Sequence, residues 1–81
     1  MTEPSERAER ELDSIWETEA RLHSAAVAGG YPEKAALRDY VRGAYDRKLR
    51  LMDTIATTSD DPAKRGAAAM AAEVLRRQGN F

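Results

Sequence analysis

Apolar residues recur along this chain at helical spacing, in three blocks separated by glycine and proline. In the first block Ala8, Leu12, Ile15, Glu19, Leu22 and Ala26 advance by alternating steps of four and three. Those steps put them on one face of an amphipathic helix. Trp16, His23 and Val27 widen the stripe on one side. Pro4 suits a first helical turn, and Glu3, Glu6 and Glu9 suit the positive end of the helix dipole. Gly29 and Gly30 are read as the stop, because glycine adopts a left-handed cap without steric cost. The pattern predicts a helix over 4–28.

Pro32, with Glu33 behind it, opens the second block. Its stripe is Leu37, Val41, Ala44, Leu51, Met52 and Ile55, flanked by Tyr40 and Tyr45. Asp39, Asp46 and Asp53 recur every seven residues on the opposite, solvated side. A helix over 32–57 follows, with Gly43 inside it at a cost of about 1 kcal/mol relative to alanine. Asp61 before Pro62 is an N-cap acceptor followed by proline at the first helical position, and Gly79 ends the third block, which predicts a helix over 62–78. Its expected inner face is Ala63, Gly66, Ala67, Met70, Ala71, Val74 and Leu75.

No strand pattern occurs, so the fold class is all-α. The expected architecture is a long antiparallel helical hairpin plus a shorter third helix, in a single domain over 1–81. The third helix starts where the second ends and covers only that end of the hairpin. The other end, around Leu22, Val27, Tyr31, Leu37, Tyr40 and Val41, then projects with little over it. Three outcomes are open. Tips of two copies pair and complete the three-helix bundle by dimerisation, a different protein binds there, or the third helix reaches further and buries the tip.

Charge and composition narrow the function classes. The net charge is −1, but residues 1–28 hold seven acids and three bases, whereas 29–58 hold four acids and six bases. That asymmetry favours packing of the first helix on the second. It lacks the concentrated basic face of a nucleic-acid binder. There is no cysteine, so neither a disulfide nor a thiolate metal site reinforces an 81-residue core, and the chain suits a reducing, cytoplasmic compartment. The N-terminal stretch is acidic and polar, unlike a secretory signal. No apolar run approaches the ~18 residues of a membrane span. The excess of arginine over lysine and the abundance of alanine suit a GC-rich bacterial source.

Chemistry-bearing residues are few. Glu19 and Lys48 sit inside the apolar stripes of the first two helices. Taken by level in an antiparallel hairpin, Glu19 falls opposite Val41 and Lys48 opposite Leu12. On that basis the two are expected to stay apart, with Lys48 reaching Glu9 or Asp13, and Glu19 reaching His23, Arg38, Arg42 or the Tyr45 hydroxyl. Glu19 and His23, one turn apart, are half of a metal site that only symmetry in a dimer could complete. The stretch "RELDSI" resembles the opening of the first helix in the helical chorismate mutases, but the next arginine of that pattern falls on Ser24 or Val27. No nucleophile set, phosphate-cradling loop or spaced carboxylate pair is present, and no cofactor is implied. The expectation is a non-enzymatic protein–protein interaction module, an adaptor, chaperone-like or regulatory protein working through the tip and stripe as a homodimer or with another protein. A small nucleic-acid-binding regulator using Lys34, Arg38 and Arg42 is the alternative, and a metal-binding bundle a more distant one. Trp16 is expected at the core edge or as an interface anchor, and Phe81 as a lid on the last helix or a recognition handle.

Overall fold

The computed structural model describes residues 4–79, so Phe81 lies outside the described residues. Three α-helices account for nearly all of them: α1 (Pro4–Ala28), α2 (Tyr31–Thr58) and α3 (Pro62–Gln78). The molecule is elongated, 43 × 28 × 18 Å. At 1.5 Å per residue, α2 is about 42 Å long and sets the long axis.

The turns explain the boundaries. Gly29 and Gly30 do break the chain, but not through a left-handed cap, since no glycine has positive φ. Gly29 is needed for space: a Cβ there would lie 2.8 Å from the Ala25 carbonyl oxygen and 2.6 Å from Cδ of Glu33. That glutamate folds back to accept a hydrogen bond from the Gly30 amide at 2.9 Å, satisfying one of the orphan donors at the start of α2. At the second turn the Asp61 carboxylate accepts from the Ala63 amide at 2.9 Å, with Pro62 as the first helical residue. Buried Ser59 organises the loop: its hydroxyl accepts from the Asp61 amide, and its carbonyl accepts from the Arg65 guanidinium at 2.8 Å.

The core sits at the loop end of the hairpin. Ala8 and Leu12 of α1, Met52 and Ile55 of α2, and Ala68 and Ala72 of α3 form its buried cluster. The α1 stripe is buried as its spacing implies, with Ile15 and Ala26 buried and Glu19 and Leu22 half-buried. The α3 face is not. Ala68 and Ala72 are buried, while Ala63, Gly66, Ala67, Met70 and Val74 are exposed. Alanine occurs on every side of this helix, so apolar periodicity does not fix its rotation. Specific anchors do: Arg76 grips both carboxylate oxygens of Asp53, and Lys64 pairs with Glu9. Small Ala68 and Ala72 let α3 lie close on α2, and the larger Met70 and Val74 are left facing out.

The Glu19–Lys48 expectation is overturned. Lys48 Nζ lies 2.9 Å from Glu19 Oε2, with the two side chains 9% and 16% exposed. Their Cα atoms differ in level by about seven residues, roughly 10 Å of rise. Helical side chains, however, tilt toward the N-terminus of their own helix. In an antiparallel pair Lys48 tilts toward the hairpin tip and Glu19 away from it, so the two lean into each other. Glu9 is instead taken by Lys64, and Glu11 by Arg47 at 2.7 Å.

Candidate functional site

The six tip residues separate into two groups. Leu22, Leu37, Tyr40 and Val41 are half-buried, on the sides that α1 and α2 turn toward one another. Val27 and Tyr31 are 75% and 74% exposed on the outside of the turn. The third helix does not reach them. Its end at Gly79 comes against the Tyr45 ring, where a Cβ would collide, so α3 stops at about the middle of α2. Beyond that level the hairpin is two helices thick.

A second feature was not legible in the sequence. Both α1 and α3 pack on α2, yet no Cα of α1 lies within 8 Å of a Cα of α3. The gap is an open groove of about 500 Å³. Met52 and Ile55 form its floor, Leu12 and Trp16 one wall, and Ala67 and Ala71 the other. Trp16 is therefore an edge residue, 46% exposed, that lines this space. At the loop end the Lys64–Glu9 pair spans the groove at 3.1 Å. That contact raises the Lys64 pKa above its ordinary 10.5, first through the hydrogen bond to Glu9 and then through the charge of that carboxylate. Another hollow of about 520 Å³ lies on the opposite side of the α1–α2 seam, between Ser14 and Ile15 on α1 and Tyr40 and Gly43 on α2.

Other candidate chemistry is dispersed. Glu19 is committed to Lys48, and His23 is exposed on the outer side of α1. Among the described residues no three histidine, aspartate or glutamate side chains converge as metal ligands, and no helix is long and apolar enough to cross a membrane. Lys34 and Arg38, at the tip, form no salt bridge among the described residues, while the remaining exposed acids and bases intermix. No protein-family model matches this chain, nor does any curated protein or solved structure.

Proposed function

We propose that this chain is a non-enzymatic helical protein-interaction module that docks through its hairpin tip and the stripe running down from it. One observation carries the reading. Val27 and Tyr31, the most exposed of the large apolar side chains, flank the turn together at the tip, and Trp16 lies in the same helical column of α1 as Val27. That column runs from the tip down α1 to the groove that Trp16 lines. Scattered exposed apolar residues need no explanation, whereas a contiguous patch marks an interaction surface. The bases of the tip are too few to track a phosphate backbone, which favours a protein partner over nucleic acid.

The test is Tyr31→Asp combined with Val27→Asp, both on exposed positions outside the core. Light scattering over a hundredfold concentration range and capture of binding proteins from the source cell are run on both forms. Loss of self-association or of a captured protein, with helicity unchanged by circular dichroism, is the expected result. Identical behaviour of the two forms would overturn the reading.

A further inference from the structure

The groove and the tip lie on one face of the molecule, at opposite ends. Glu9, Asp13, Trp16, Ala20, His23 and Val27 follow steps of four and three, so the groove wall of α1 continues as a single column to the tip. On α2 the floor residue Met52 continues the same way through Lys48, Tyr45, Val41, Arg38 and Lys34 to Tyr31. At the groove end the rim carries Glu9, which is paired with Lys64, and Asp13, which is in no salt bridge among the described residues, with Glu6 and Glu17 just behind them on α1. At the tip end it carries Lys34 and Arg38, both exposed and neither in a salt bridge among the described residues. One face thus presents an apolar socket with an acidic rim at one end and an apolar plug with basic flanks at the other.

We infer that the occupant of the groove is the hairpin tip of a second copy of this chain, in a two-fold dimer with two identical tip-to-groove contacts. This rests on the reading of the tip as a docking element. Two observations single out a second copy. First, a two-fold axis lying in this face, perpendicular to its length, brings its unlike ends together, and an isologous interface requires this self-complementarity. It sets Val27 and Tyr31 against Trp16 and the alanine wall, and Lys34 and Arg38 against Asp13, with Glu9 already held by Lys64. Second, the shape fits. Trp16 and Val27 are eleven residues apart, about 16 Å along α1, so the axis passes between Ala20 and His23, both exposed. Because α3 ends at the level of Tyr45, it stops short of that axis and the two α3 helices do not collide.

Charge reversal on the full chain tests this, using Asp13→Arg, Arg38→Glu and the double variant, with Tyr31→Asp as a reference. All three positions are exposed and outside the core, and helicity is checked by circular dichroism. The wild type is expected at about 18 kDa, twice the chain mass, by light scattering. Asp13→Arg and Arg38→Glu each raise the dimer dissociation constant at least about tenfold. The double variant, in which acidic and basic ends have exchanged places, returns toward the wild-type constant. A wild type that stays monomeric across a hundredfold concentration range overturns this inference and leaves the docking role of the tip to be read from the proteins it captures. A dimer weakened by Tyr31→Asp but indifferent to Asp13→Arg means tip-to-tip pairing: the groove is then not the socket, though the tip still docks. A dimer indifferent to all of these substitutions overturns both readings.

Discussion

The Glu19–Lys48 pair is the most consequential polar contact in the hairpin, and replacing Lys48 with methionine measures its role. Methionine preserves the stem that lies along the apolar seam and deletes the ammonium. The Glu19 carboxylate, 16% exposed and 2.9 Å from that ammonium, is then left nearly buried without its counter-charge. Removing one partner of a fully buried pair costs about 3–5 kcal/mol. The residual exposure of Glu19 lowers that to roughly 2–3 kcal/mol for Lys48→Met, by the same reasoning. Against a total stability of ~4–12 kcal/mol for a chain of this length the loss is large. It corresponds to a melting temperature lower by roughly 10–20 °C in a domain of this size. Urea denaturation followed at 222 nm, at one fixed protein concentration, gives the value. Glu19→Leu is expected to cost a similar amount. The double variant Glu19→Leu, Lys48→Met removes both charges and restores stability to within about 1 kcal/mol of the parent, or above it, because desolvation of the ions is removed with their attraction. Single variants that each cost under about 0.5 kcal/mol, with no coupling in the cycle, would refute the argument and mean that water already screens the pair.

Three further outcomes are expected. Gly43→Ala and Gly66→Ala, where a Cβ meets nothing within 4 Å, should each stabilise by about 0.5–1 kcal/mol and add in combination, read by the same denaturation curves. Asp61→Ala should cost about 1 kcal/mol through loss of the α3 cap, again by denaturation. Lys64 should titrate above 10.5 by side-chain nuclear magnetic resonance and fall back in Glu9→Gln. Because its folded-state pKa is raised, the contribution of this ion pair is fully present below pH 10.5 and disappears as pH climbs through the folded-state value, so wild type and Glu9→Gln should converge in stability at strongly alkaline pH.

Helix positions were legible because their punctuation is chemical: Pro4, the Gly29-Gly30 break before Pro32, and Asp61-Pro62 act locally, and α2 differs from its expected bounds by one residue at each end. The α1 stripe was legible because its apolar side chains contrast with the charged ones between them. The rotation of α3 was not, since alanine surrounds that helix and carries no facing information. Its orientation comes from Arg76 meeting Asp53 and Lys64 meeting Glu9, contacts between residues 23 and 55 positions apart. The groove was illegible for the same reason, because it exists only once α3 turns Ala67 and Ala71 toward α1. The Lys48–Glu19 pairing was within reach of the sequence, had levels been compared at the side-chain tips and not at the backbone.

The attachment of α3 has a dynamic consequence. This helix packs on α2 through Ala68, Ala72 and Leu75, reaches α1 through the exposed Lys64–Glu9 pair, and has the Ser59–Asp61 loop as its covalent tether. Little apolar area holds it, so its free energy of local opening lies well below that of the whole fold. Amide hydrogens of α3 should exchange with solvent faster than those at the centres of α1 and α2, as a separate cooperative unit. Each excursion uncovers Leu49 and Met52 for a moment while the hairpin stays intact. A ligand lying along the groove would bridge α1 to α3 and slow that exchange, so the protection of one helix reports occupancy of a cleft it only partly forms.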